Sequence, residues 1–212
     1  MTRTYAISAV ILVLTLISAT LVIVLFGRAG SGSDDVFAQC RGSVIAGGAD
    51  TIGGPFELVS ETGETVTDTD VLSEASLLYF GYTFCPDVCP LDTVRNAEAV
   101  DVLEGRGQSV QPVFISVDPA RDTPEVVAAF TDNIHPRMLG LTGSLEQTDA
   151  ASRAYRTYYR INDEEDDEYY LVDHSTFTYL VLPEHGFVEF FNRDIGPVDM
   201  ADRVQCFLDA AE

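Results

Sequence analysis

The chain has 212 residues, enough for one domain with a sizeable hydrophobic core and an appendage. Its 34 acidic residues outnumber its 12 basic residues, all of them arginine, and the formal net charge is −22. Such a chain should not bind nucleic acid or an anionic membrane surface through charge alone. A cationic partner surface or a metal cation is a more natural counterpart, although solubility or salt adaptation explains the charge equally well.

An apolar segment near the start of the chain predicts a membrane anchor. The run from Tyr5 to Phe26 contains no charged residue and is long enough to cross a bilayer as a helix. A cleavable signal would have a shorter apolar core closed by a small-residue cleavage site. We therefore expect an uncleaved, single transmembrane helix within residues 1–26. The short tail before it favours a globular part outside the cytoplasm.

The next residues have the composition of a linker. Residues 27–52 open with the Gly/Ser-rich and then acidic segment GRAGSGSDDV, which predicts a flexible tether. The folded domain is then expected over residues 53–212.

The four cysteines form two groups, and the outer pair flanks the predicted domain. An even number of cysteines in an exported protein is typical of disulfide bonding. We predict that Cys40 and Cys206 form a disulfide that joins the N-terminal segment to the last helix. Two buried free thiols are the alternative.

Beyond the tether, strand and helix patterns alternate. Hydrophobic runs bounded by turn residues predict strands at 56–59, 65–67, 77–80, 110–117, 138–141, 176–182 and 187–191. Amphipathic segments predict helices at 88–103, 124–133, 144–159 and 197–211. Capping residues support two of the helix starts, Thr123 before a proline and Ser144 in a capping box. The order predicts a thioredoxin-like α/β fold with an N-terminal β-hairpin.

An acidic run interrupts this pattern. Residues 163–168 read DEEDDE and predict a solvated loop, with a docking surface as the alternative.

The stretch from Ser76 to Pro90, SLLYFGYTFCPDVCP, carries the most informative chemistry. A buried-strand pattern ends in Cys85 and Cys89, and a helical pattern follows. The partial positive charge and free N–H groups of a helix N-terminus favour thiolate over thiol. Because the two cysteines are four residues apart, they can lie on one helical face. They could form a disulfide or bind a soft metal ion, and a lone CxxxC motif does not separate the two.

His174 is the third candidate ligand. It precedes the predicted strand 176–182, and a segment entering that strand can meet one leaving an antiparallel neighbour. Two thiolates and one imidazole suit Cu(I) and, less selectively, Zn(II). Asp173 is expected to orient the histidine ring or a neighbouring amide, and Asp87 to tune the thiolates or face a partner. The other two histidines are expected to be structural.

Four blocks of sequence resemble the Sco-type (SenC) copper metallochaperones. They are YFGYTFCPDVCP at 79–90, SVDPARDTPE at 116–125, LTGS at 141–144 and YLVDHSTFTYLV at 170–181. The resemblance covers roughly residues 53–209. It is specific because four separate blocks agree in order and spacing.

The resemblance implies a thioredoxin-like domain, in the periplasm or the mitochondrial intermembrane space, that binds one copper through Cys85, Cys89 and His174. Cu(I) is the expected form, with Cu(II) left open. The implied role is assembly of the binuclear copper (CuA) centre in subunit II of cytochrome c oxidase, with other copper chaperones as further partners. Cys85 and Cys89 are also implied as a redox dithiol acting on the target's cysteines. Cys40, Cys206 and the acidic run depart from the family pattern without touching the ligand motifs.

Three other functions would use some of the same residues. A thiol–disulfide oxidoreductase without metal would need Cys85 and Cys89 but not His174. A peroxidase would need one low-pKa cysteine, and the second cysteine gives no reason to prefer it. A copper sensor would have the same ligands as a chaperone.

Overall fold

The computed structural model describes residues 13–21, 35–43, 47–162 and 170–211. The chain divides into two compact units, Met1–Ala38 and Gln39–Glu212. In the first unit, residues 13–21 are helical (α1), and the rest of the anchor expected over 1–26 lies outside the described residues. Among the described parts of the chain, no helix is both long and apolar enough to span a bilayer. The acidic run 163–168 also lies outside the described residues.

The second unit alternates strands and helices after a short 3-10 turn at Ala49–Thr51. Its strands are β1 (Glu57–Ser60), β2 (Thr65–Thr67), β3 (Ser76–Gly81), β4 (Gln111–Ser116), β5 (Leu139–Thr142), β6 (Tyr159–Ile161), β7 (Val172–His174), β8 (Thr178–Leu182) and β9 (Gly186–Phe191). Its helices are α2 (Asp68–Val71), α3 (Val88–Gly105), α4 (Pro124–Asp132), α5 (Leu145–Ala154) and α6 (Pro197–Ala211).

Seven of these strands form one mixed sheet in the order β2-β1-β5-β4-β3-β8-β9. The central strands β3, β4 and β5 are parallel. Strand β8 is antiparallel to β3, and β9 is antiparallel to β8. The N-terminal hairpin β1–β2 pairs with β5 through β1. This is the predicted α/β thioredoxin-like arrangement.

Strand β3 lies at the centre of the hydrophobic core. All six of its residues are buried, from Ser76 to Gly81. Such a continuous apolar run is typical of a central strand that is buried on both faces, because neither face contacts water. The cysteine loop therefore begins at the end of a buried and rigid strand.

Two local features differ from the sequence-based predictions. Helix α5 was predicted to reach residue 159 but ends at Ala154, because Arg156 has a left-handed φ of 51° and the chain then enters β6. His174, predicted in a loop, lies at the end of β7, which pairs with β6 in a separate two-stranded sheet.

A clasp formed by residues 39–43 holds the start of the second unit against β9 and α6. Cys40 is joined to Cys206 by a disulfide. The carboxylate of Glu189, which is fully buried, accepts hydrogen bonds from the Gly42 amide at 2.8 Å and from the Ser43 hydroxyl. Arg203 of α6 pairs with the same carboxylate at 2.8 Å. The folded unit therefore begins at Gln39, and the tether predicted over 27–52 does not extend through the clasp.

Loss of the outer disulfide should lower stability without altering the inner cysteines. It closes a loop with a sequence separation of 166 residues, and removal of such a bond typically costs about 2–5 kcal/mol. We expect a Cys40→Ser/Cys206→Ser variant to show that decrease in the free energy of unfolding in urea. Native protein whose outer disulfide has been reduced should unfold like the variant. Equal stability of oxidised native protein and variant would contradict the prediction.

Candidate metal centre

The two inner cysteines lie at the start of α3, directly beyond the end of β3. Cys85 is in the loop, and Cys89 is in the first turn of the helix; the two are 8% and 0% exposed. The Cys89 amide donates a hydrogen bond to the Cys85 sulfur at 3.3 Å. The N-cap residue Asp87 makes no capping bond with its side chain. The Cys85 sulfur therefore takes the position that a capping oxygen usually has.

His174 reaches the cysteines from the neighbouring part of the sheet. Because β8 is antiparallel to β3, the segment that enters β8 lies beside the end of β3. The Nε2 atom of His174 is 3.2 Å from the Cys89 sulfur. One ligand atom from each of Cys85, Cys89 and His174 lies within 4.8 Å of the other two. The structure thus brings together the three ligands predicted from the sequence.

The ring of His174 is oriented by a backbone group. Its Nδ1 lies 2.9 Å from the carbonyl oxygen of Ser175, so in the neutral ring Nδ1–H donates to that carbonyl. This tautomer leaves the Nε2 lone pair facing the sulfurs, as metal binding requires. The Asp173 side chain is exposed, and the group that meets Nδ1 of the ring is the Ser175 carbonyl; the other role expected for Asp173, orienting a neighbouring amide, stays a prediction. The sequence contained no signal for a carbonyl partner.

Two tyrosines from the cysteine motif surround the imidazole. The rings of Tyr79 and Tyr82 meet it edge-on, with centroids 6.1 and 5.8 Å from its own. The Tyr79 hydroxyl donates to Asp92 at 3.0 Å, and Asp92 is paired with Arg95 at 3.1 Å. These rings restrict the imidazole to one side of the cysteine pair.

Gly81, the last residue of β3, makes room for the Cys89 sulfur. A Cβ atom at this position would lie 3.1 Å from that sulfur and 2.9 Å from Cε1 of Tyr79. Both distances are shorter than normal carbon contacts, so any side chain here would displace the sulfur or the ring. Glycine is therefore required by the close approach of helix α3 to the strand.

A buried carboxylate fixes the loop that carries Cys85. Asp122 is fully buried and accepts hydrogen bonds from the Thr83 amide at 3.0 Å and the Thr83 hydroxyl at 2.6 Å. The Ser116 hydroxyl, at the end of β4, donates to the same group at 2.6 Å. Burial raises the pKa of Asp122 in spite of these bonds. The carboxylate joins the ends of the two central parallel strands.

The two thiols differ in acidity. The hydrogen bond from the Cys89 thiol, together with those donated by the Asp87 and Cys89 amides, lowers the pKa of Cys85 to about 3 against the effect of burial. The same bond to Cys85, followed by burial, raises the pKa of Cys89. The pair therefore loses its first proton easily from Cys85 and retains its second. Asp87, predicted to tune the thiolates, contributes through its amide rather than its exposed carboxylate.

A second cluster with metal-binding residue types is better explained as an ion-pair network. Asp101, Glu104 and His135 also lie within 4.8 Å of one another. Nδ1 of His135 accepts a hydrogen bond from the Arg137 amide at 3.2 Å, so the neutral ring carries its proton on Nε2, which faces Asp101 at 3.3 Å. Arg137 also pairs with Glu104. Both ring nitrogens are engaged, and the predicted structural role of His135 fits the geometry.

The first cluster has the chemistry of a soft-metal site. Thiolate sulfurs and an imidazole nitrogen are typical ligands of Cu(I), whereas a structural zinc site usually has four ligands. Cys89 is fully buried and His174 is partly exposed. A bound ion would be enclosed by protein on the Cys89 side and approachable from the histidine side.

The comparisons with known proteins agree with this geometry. The model of the SCO1/SenC protein family matches residues 46–209. Protein SenC of Rhodobacter capsulatus is 58% identical over 178 residues, which cover 84% of this chain and 80% of that protein. The human mitochondrial protein SCO1 homolog is 41% identical over 149 residues, 69% of this chain and 50% of that protein. The chain therefore spans about half the length of the human relative.

Solved structures of copper-bound relatives have the same fold. Arabidopsis thaliana ScoI with copper bound has a TM-score of 0.70 and 42% identity, covering 74% of this chain and 99% of that structure. Bradyrhizobium japonicum ScoI with copper bound has a TM-score of 0.66 and 34% identity, covering 73% and 98%. The chain belongs to the SCO1/SenC family and has its thioredoxin-like fold.

Proposed function

We propose that this chain is a copper chaperone for the assembly of cytochrome c oxidase. It binds one copper ion as cargo through Cys85, Cys89 and His174 and passes it to the CuA site of subunit II. The observation that carries the proposal is the convergence of these three ligand atoms within 4.8 Å. Copper in the solved structures of relatives at 34–42% identity supports the same metal.

The residues around the site assist binding and release. The lowered pKa of Cys85 favours its thiolate, which attracts the incoming cation, and Cys89, whose pKa is raised, must lose its proton as the ion binds. Release proceeds by ligand exchange, in which groups of the acceptor replace His174 and the two sulfurs in turn. The partly exposed imidazole is the ligand that an acceptor reaches first.

The proposed location follows from the apolar run between Tyr5 and Phe26. Residues 1–26 anchor the protein in the cytoplasmic membrane by a single span, residues 27–38 act as a tether, and the copper-binding domain lies in the periplasm. A mitochondrial counterpart would face the intermembrane space. The other partners are copper chaperones that load the site.

A thiol–disulfide reductase acting on the target's cysteines is the second candidate. The observation that favours it is the lowered pKa of Cys85 beside Cys89, whose pKa is raised, because a thiolate with a neighbouring thiol is the arrangement that such exchange uses. This activity needs no imidazole ligand. His174 therefore separates the two functions.

Substitution of any one ligand should weaken copper binding strongly. We expect Cys85→Ser, Cys89→Ser and His174→Ala each to raise the dissociation constant for Cu(I) by more than about 100-fold, since loss of supporting groups alone costs about 10–100-fold. Competition with a chromophoric Cu(I) chelator under anaerobic conditions measures this. The control is His185→Ala, at an exposed histidine in the turn before β9.

The His174→Ala protein also tests the second candidate. Loss of function in assembly of the CuA centre together with intact disulfide exchange by Cys85 and Cys89 supports the chaperone. Retention of native copper affinity in His174→Ala or Cys85→Ser would refute the proposed site.

The thiolate titration should show one ionised sulfur at neutral pH. A group whose folded pKa is lowered is ionised at every pH above that value, so Cys85 should remain a thiolate far below the ordinary thiol pKa of about 8.5. Ultraviolet thiolate absorbance of the copper-free, reduced protein measures this. Cys85→Ser should abolish the signal at neutral pH, because burial still raises the pKa of Cys89 after its hydrogen bond to Cys85 is lost. A native titration with a single midpoint near the ordinary value would contradict the assignment.

Filling the space at Gly81 should disturb the site more than the fold. Because its Cβ would approach both Tyr79 and the Cys89 sulfur, Gly81→Ala should lower the free energy of unfolding by about 1–3 kcal/mol. The dissociation constant for Cu(I) should rise by about tenfold or more, equivalent to about 1.4 kcal/mol. Gly105→Ala is the matched control, since a Cβ there meets nothing within 4 Å. Unchanged copper affinity in Gly81→Ala would show that the close contact is irrelevant to the site.

A further inference from the structure

The His174 ligand lies on an element that is outside the main sheet. Strand β7 pairs only with β6 among the described strands, and the two form a sheet of their own. The cysteines, in contrast, follow the central strand β3. The start of β8, four residues after His174, brings the imidazole near the sulfurs, and contacts between the β6–β7 sheet and the cysteine loop can further fix its position.

Arg121 contacts both the segment before β7 and the cysteine loop. Its guanidinium lies 3.5 Å from the ring centroid of Tyr170, two residues before β7, and donates a hydrogen bond to the Tyr170 carbonyl at 2.9 Å. The same guanidinium lies 4.9 Å from the ring of Phe84, which precedes Cys85, and 5.7 Å from that of Tyr82. One side chain thus contacts the segment before each set of ligands.

Asp118 completes this arrangement from the end of β4. Its carboxylate is fully buried and pairs with Nε of Arg121 at 2.5 Å. The hydroxyl of Tyr170 donates to the other oxygen of the same carboxylate at 2.6 Å. We call the three residues Asp118, Arg121 and Tyr170 the latch. Because the Arg121 side chain is only 12% exposed, the pair is shielded from water and its loss would leave Asp118 as a buried, unpaired charge.

We propose that the latch holds the imidazole of His174 at the cysteine pair and that Arg121 is a positioning residue of the metal site. Arg121 does not touch the ligands. It acts by stacking on Tyr170 and Phe84, which fixes the β6–β7 sheet against the cysteine loop. The inference rests on the proposed function only in taking copper as the ligand. With the latch broken, the two sulfurs remain in place while the histidine moves away.

The planar guanidinium is essential to this role. A lysine could keep the ion pair with Asp118 but could not stack on two rings and donate to the Tyr170 carbonyl at the same time. We therefore expect Arg121→Lys to retain the fold and to lose the position of His174, as Arg121→Gln does.

The first arm of the test uses the reduced, copper-free protein. Nuclear Overhauser contacts between the His174 and Tyr82 rings, whose centroids are 5.8 Å apart, should be present in the native chain. They should be lost in Arg121→Gln and Arg121→Lys. Arg137→Gln is the matched control, because it removes another arginine that pairs with two carboxylates away from the site. Retained contacts in a folded Arg121→Lys protein would overturn the proposal.

The second arm is a double-mutant cycle on Cu(I) affinity. If Arg121 acts through His174, Arg121→Gln should weaken binding by about as much as His174→Ala, and the double variant should be no weaker than either single variant. Additive losses would show that Arg121 acts elsewhere and would overturn the proposal. Absence of copper binding by the native chain would refute the proposed function, while the ring contacts in the first arm would still decide the latch.

Discussion

The antiparallel pairing of β3 with β8 is the constraint on which the metal centre depends. It places the residue that enters β8 beside the residue that leaves β3, so ligands 85 residues apart in sequence become neighbours. Burial of β3 on both faces makes one side of this arrangement rigid. The other side, carried by β7, is attached through side chains. The site thus combines a fixed pair of sulfurs with an imidazole whose position must be maintained separately.

The electrostatic interactions around the metal site are short-range ion pairs and hydrogen bonds, although the chain has a formal net charge of −22. Around the site, Arg95 is paired with Asp92 and Arg121 with Asp118, both at low exposure. These pairs leave little free positive charge to stabilise Cys85 as a thiolate. Its low pKa comes instead from the hydrogen bond donated by the Cys89 thiol and from those donated by the Asp87 and Cys89 amides. Such short-range stabilisation is less sensitive to salt than a charge–charge effect across the surface would be.

Much of this architecture could be predicted from local sequence because each feature has a local cause. The Thr123 and Ser144 caps hold, as their side chains accept hydrogen bonds from the amides of Val126 and Gln147. The set of metal ligands could also be predicted from the sequence, since few residue types bind soft metal ions. The end of α5 at Ala154 and the role of the Ser175 carbonyl could not be predicted from local sequence. They depend on tertiary packing and on a backbone group that every residue possesses.

The clasp at residues 39–43 means that the two cysteine pairs respond differently to a reductant. If the Cys40–Cys206 bond opened, Glu189 would still accept hydrogen bonds from Gly42 and Ser43, and Arg41 would still donate to the Val188 carbonyl. The segment would stay where it is, so the two freed thiols would remain neighbours. Reduction of the outer disulfide would therefore leave the geometry at the edge of the domain largely unchanged.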